Sequence, residues 1–165
     1  MRKRVRNSGF TLVELMIVLL IIANLVAIAV PMFLRMRMNT NETSAAASMR
    51  VIATAEGAFQ TAAFADADGN GEGDYGTLAE LGNPDGSGVA EPFIDKVLSS
   101  GKKAGYSFVI KVAPGSNATI TQFVAYSWPL TPGRTGFRQF YVDETQVIRQ
   151  TKDGTAVSST SPPLE

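Results

Sequence analysis

Neither cysteine nor histidine occurs anywhere in the 165 residues, which removes thiol nucleophiles, Ser-His and Cys-His relays and the usual zinc ligands together. Only Ser-Lys or carboxylate chemistry is left for an enzyme, and no such constellation stands out, so the chain reads as a non-enzyme. Without disulfides, stability outside a cell has to come from packing, a metal or contacts within a polymer. Charged residues are sparse, 18% of the chain, and balance at 15 basic against 15 acidic. That balance hides an asymmetry: Arg2, Lys3, Arg4 and Arg6 precede the first long apolar run, and without them 11 basic residues face 15 acidic ones. A mildly acidic body lacks the clustered cations that phosphate binding needs, so nucleic acid is not an obligatory partner. The length holds one domain with a modest core plus an appended segment.

What the sequence does have is concentrated at its start. From Phe10 to Leu34 run 25 residues in which Glu14 is the only charge, enough at about 1.5 Å per residue to cross a bilayer core. The dense positive cluster ahead of the run keeps that end cytoplasmic and sends the body outward. A secretory signal would carry a shorter apolar stretch with small residues after it, whereas here Ser8-Gly9 lie before it. A plain membrane anchor leaves Glu14 unexplained, because an isolated carboxylate in the membrane costs several kcal/mol.

Gly9-Phe10-Thr11-Leu12-Val13-Glu14-Leu15 resembles the prepilin motif of type IV pilins and type II secretion pseudopilins. The resemblance implies cleavage by a prepilin peptidase between Gly9 and Phe10, N-methylation of Phe10, and an assembly role for Glu14, five residues into the mature chain. In that family the partner of this glutamate is the N-terminal amine of a neighbouring subunit. Similarity continues through Ala27-Ile28-Ala29-Val30-Pro31-Met32-Phe33-Leu34 and Asn41-Glu42-Thr43-Ser44-Ala45, which resemble major pilins more than pseudopilins. Pro31 lacks an amide hydrogen and crowds the preceding turn, so a bend or loosening is expected between Ala23 and Pro31, with Asn24 weakening the stretch further. Local unwinding in assembled pili of the family makes Pro31 a second assembly residue by resemblance.

Past Arg37 the segment stays rich in Ala, Met and Glu, and Met49, Ile52, Phe59 and Ala63 fall at helical spacing. One helix of about 55 residues, Phe10 to Phe64, is expected, apolar all round in its first half and amphipathic in its second. In Asp66-Ala67-Asp68-Gly69-Asn70-Gly71-Glu72-Gly73-Asp74, oxygen side chains alternate ahead of a glycine, as in a calcium loop. Asp66, Asp68, Asn70 and Asp74 are the candidate calcium ligands. The twelfth position is Thr77 instead of a bidentate glutamate, and an Asp/Gly turn explains the same residues. No other cofactor is implied.

Thr77-Leu78-Ala79-Glu80 spells a capping box for a short helix ending near Gly82, and Pro92 to Leu98 a second short helix. Strands are expected at Tyr106 to Val112, Thr119 to Trp128, Phe137 to Asp143 and Val147 to Gln150, with a turn at Pro114-Gly115-Ser116-Asn117. Asp143 and Glu144 are neighbours on a strand and point to opposite faces, which argues against a catalytic pair. The Ser- and Pro-rich tail from Thr151 reads as disordered, and Asn41 and Asn117 open Asn-x-Thr sequons.

These readings give an α+β fold: a long N-terminal helix packed on a three- to four-stranded antiparallel sheet, the pilin fold by resemblance. The expected organisation is a cleaved leader 1–9, a transmembrane and filament-core helix 10–37, a globular head 38–150 and a tail 151–165. By resemblance the chain is a subunit of an extracellular type IV pilus serving adhesion, twitching or DNA uptake. It would enter the inner membrane as precursor, amid lipid, and reach the cell surface as a homopolymer. Its partners would be prepilin peptidase and the assembly machinery of that membrane. A type II secretion pseudopilin or a minor pilin is the alternative.

Overall fold

The computed structural model describes residues 9–66, 69, 71–113 and 122–164. Two compact units divide the chain, Met1–Met36 and Arg37–Glu165. A single helix, α1, spans Leu12–Ala62, two residues shorter at each end than expected. Thr11 caps its start, and Ala63 stops it by turning left-handed at φ 50°. In the first unit every residue from Gly9 to Met36 is exposed, and the helix there has no buried face.

Within the second unit α1 is amphipathic. Ala45, Met49, Ile52, Glu56 and Phe59 are buried at alternating steps of four and three residues, with Ala53 buried beside them, the stripe that a helix lays on a sheet. Ala63, expected on that stripe, lies outside the helix and is exposed.

After α1 come two short helices, α2 at Leu78–Gly82 and α3 at Lys96–Ser99. The Thr77 capping box is formed as expected, with the Thr77 hydroxyl and the Glu80 carboxylate serving each other's backbone amides. The second short helix starts later than Pro92. The amides of Phe93 and Ile94 donate to the Leu81 carbonyl, which keeps them in a bend outside the helix, and Asp95 then caps α3 by accepting from Val97 and Leu98.

Five strands follow: β1 Lys102–Lys103, β2 Tyr106–Ala113, β3 Gln122–Pro129, β4 Gln139–Asp143 and β5 Arg149–Thr151. They form one antiparallel meander in the order β1-β2-β3-β4-β5. The fold is α+β as expected, with β1 as the strand the sequence reading lacked; it is only two residues long. The expected turn at Pro114 to Asn117 lies outside the described residues. On the face toward α1, Phe108 and Ile110 of β2, Phe123 and Ala125 of β3, and Phe140 and Val142 of β4 complete one core with the helix stripe. Burying such side chains is the main favourable contribution to the head, roughly 1.5–3 kcal/mol for each large one.

Strand β4 begins two residues later than expected because the amides of Phe137 and Arg138 donate to Glu42 Oε1 of α1, at 2.8 and 3.3 Å. Glu42 Oε2 also pairs with Arg138 Nε at 3.1 Å. A buried carboxylate is thereby matched by two amides and a cation, the condition under which burying it is tolerated. Asn41 adds a bond to the Thr135 carbonyl.

The segment from Thr151, expected to be disordered, is packed against β5 in the described residues. The Gln150 amide donates to the Pro162 carbonyl and the Leu164 amide to the Ile148 carbonyl, Arg149 donates to the Ser161 carbonyl, and Val157 is buried. Two apolar anchors, Val157 and Leu164, spaced along a polar stretch are enough to cover an edge strand, a signal that composition alone averages away.

Gly136 lies against the Tyr106 ring so closely that a Cβ there would meet the phenol oxygen at 2.1 Å, and that hydroxyl is itself held by the Arg138 carbonyl. Gly136→Ala is therefore expected to destabilise the head by about 1–3 kcal/mol through overpacking. Denaturant unfolding of the variant beside wild type measures the loss.

Candidate functional site: the N-terminal segment

Gly9 and Phe10 are non-helical and exposed, with Phe10 80% accessible. The peptide bond between them thus precedes the helix and is open to an enzyme, which a bond inside a helical turn would not be. At Thr11 the backbone amide and the hydroxyl both donate to Glu14 Oε2, at 2.9 and 2.8 Å. The Glu14 amide returns a bond to the Thr11 hydroxyl at 3.2 Å.

This is a second capping box, with Thr11 at the cap and Glu14 three residues on. It satisfies amides that a helix start leaves without partners. Sequence reasoning overlooked it, although Thr11-Leu12-Val13-Glu14 spells the same pattern as Thr77-Leu78-Ala79-Glu80. The consequence concerns Glu14: one of its oxygens is occupied by its own chain, and the other carries no hydrogen bond among the described residues.

Beyond the cap, the helix is long and apolar enough to cross a membrane, and none of its most apolar stretch is buried. Asn24, its one polar amide, donates to the Leu20 carbonyl at 2.9 Å. That local bond lowers the cost of placing an amide in an apolar setting. At Pro31 the helix continues, so the expected loosening from Ala23 to Pro31 is not present as a break. Pro31 still supplies no amide to the Ala27 carbonyl one turn earlier, which leaves the turn short of one hydrogen bond.

The other candidate residues belong to the second unit. Asp66 accepts from the Gly71 amide at 3.1 Å, and Asp74 is buried with its own amide bonded to the Ala65 carbonyl. Asp68 and Asn70 lie outside the described residues, and among the described residues no three acidic side chains gather into a metal-sized group. Asp143 accepts from the Tyr141 hydroxyl and from the Thr145 amide, so it ties the end of β4 to the following turn. Glu144 is exposed in that turn, and the two carboxylates share no centre.

Comparison with known families agrees with the geometry. The family model for the prokaryotic N-terminal methylation motif matches residues 4–30, a stretch that takes in Arg4 and Arg6, the Gly9-Phe10 bond, Glu14 and most of the apolar run. No curated protein and no solved structure matches the chain.

If Thr11 caps the helix, Thr11→Ala removes one side of the box at a cost of about 1 kcal/mol. In micelles the Glu14 amide should then exchange with solvent roughly fivefold faster, as RT at 25 °C requires. Unchanged exchange would mean the cap contributes nothing.

Proposed function

We propose that this chain, which carries a type IV prepilin-like N-terminal methylation motif, is the structural subunit of an extracellular type IV pilus. The observation that carries the reading is the helix of residues 12–36: apolar apart from Glu14, Asn24 and Arg35, and without a buried face in the single chain. So much unpartnered apolar surface is stable only in lipid or against other copies. A filament subunit needs both settings, first the membrane and then the polymer core. The head, with its own core, is suited to the outside of such a fibre.

The chemistry of the two steps follows from the cap. A prepilin peptidase would hydrolyse the Gly9-Phe10 amide and release the leader with its four cations. The new Phe10 amine is the residue to be methylated. Glu14 keeps Oε2 on Thr11 and has Oε1 free for the amine of an adjacent subunit. In lipid that half-satisfied carboxylate is costly, and docking beside a cation offsets the cost, so Glu14 favours the assembled state. Pro31 marks the turn most easily opened when neighbouring helices pack.

Intact-mass measurement tests the processing: the mature chain should begin at N-methylated Phe10. A mature protein retaining Arg2 to Gly9, or one cut after Ala29, refutes the assignment.

Glu14→Val should leave insertion and cleavage in place while sharply reducing filaments, with Glu14→Gln intermediate because an amide oxygen accepts a hydrogen bond without charge. Electron microscopy of fibres sheared from cells gives the readout. Normal filament numbers from Glu14→Val as sole subunit would sink the mechanism, and absence of the wild-type chain from the fibres would favour a minor pilin or a secretion pseudopilin.

A further inference from the structure

Glu56 lies near the C-terminal end of the buried stripe of α1, fully inaccessible to solvent, where an aliphatic side chain would be expected. It faces the segment that returns along the helix after its end. Gly73 runs so close to α1 that a Cβ there would sit 1.9 Å from the Gln60 carbonyl oxygen. Three residues on, the Gly76 amide donates to Glu56 Oε2 at 3.0 Å. The other oxygen, Oε1, is buried with no hydrogen-bond partner.

The surroundings offer an anion little else. Phe59 packs beside the segment with Phe64 and Phe93, and Tyr75 lies against Phe123. Of the charged and titratable groups that face it, Glu80 at the start of α2 repels the carboxylate, and the Tyr75 phenol, itself pushed up by burial first and then by Glu144 and Glu56, offers it no positive charge. Among the described residues the two ion pairs, Lys103–Asp95 and Arg138–Glu42, involve other carboxylates. The contrast with Glu42 on the same helix is chemical: that carboxylate has a guanidinium and two amides, whereas Glu56 has one amide. A buried carboxylate so poorly matched takes up a proton instead.

We propose that Glu56 is a pH-sensitive latch: as the neutral carboxylic acid it fastens residues 73–77 to the end of α1, and its ionisation releases that segment. Burial first, and the Glu80 charge behind it, push the Glu56 carboxyl up to about 8 against the opposing pull of the Gly76 amide. Below about 4.5 the unfolded chain is protonated at this carboxyl too, and the contribution of Glu56 to stability is fully present. From there to about 8 the folded head holds a proton that the unfolded chain has released, so stability falls steadily as pH rises. Above that value the loss is complete and the profile levels off. The released stretch joins the Asp- and Gly-rich loop to α2, so the head would loosen at one end while Glu42 keeps the other closed. The proposal concerns the head alone and stands whether or not the chain forms filaments.

The test uses the full mature chain in detergent micelles. The Tm of the wild-type head should fall by about 10 °C between roughly pH 6 and pH 8.5. Glu56→Gln keeps the shape, cannot ionise, and should show at most about a third of that fall. A flat wild-type profile, or equal falls in the two proteins, overturns the latch. Should Glu56→Gln fail to fold, the wild-type carboxyl carbon of Glu56 followed by NMR decides. A midpoint above about 7, with the Gly76 amide shifting along the same curve, upholds the proposal, and a lower midpoint overturns it.

Discussion

The contact of the second half of α1 with the sheet is the interaction on which the head depends. Ala45, Met49, Ile52 and Phe59 meet Phe108, Phe123 and Phe140 across a single interface, and no disulfide supplements it. With so small a core, the polar groups at its borders matter as much as its apolar centre. The core can be dry only if each buried carboxylate and amide along α1 finds a partner or a proton.

Glu42 and Glu56 show two solutions on one helix face, 14 residues apart in sequence. Glu42 gathers the start of β4 by accepting its first two amides and pairing with Arg138, and so decides where that strand begins. Glu56 gathers the chain that leaves α1 with a single amide bond. The first contact matches its carboxylate with a guanidinium and two amides; the second depends on a proton. Between them lies the rigid middle of the head, where the β2–β3 and β3–β4 pairs are longest.

The first unit obeys different physics. Its helix has no stripe and no core, so nothing within the chain covers it, and the capping box at Thr11 and Glu14 supplies the hydrogen bonds at its start. A carboxylate that caps its own helix with one oxygen and presents the other is ready for a cation brought by another molecule. Asn24 and Pro31, the other departures from aliphatic composition, are both accommodated by the helix itself.

Much of this was legible in the sequence. An uninterrupted apolar run, a small residue before it and one acid inside it depend on no distant contact, so the membrane-length helix and the methylation motif could be read from residues 4–30 alone. Alternation in β2 and β3 and the Thr77 capping box are equally local. The late starts of α3 and β4 were not legible, because the Leu81 carbonyl and the Glu42 carboxylate, each far along the chain, claim the amides in question. Nor was the ordered tail, held by Val157 and Leu164 on a strand edge that exists only once the sheet has formed. Glu56 reads in sequence as one more polar residue of an amphipathic helix. Only the return of Gly73 and Gly76 along α1 buries it, and burial is what sets its charge.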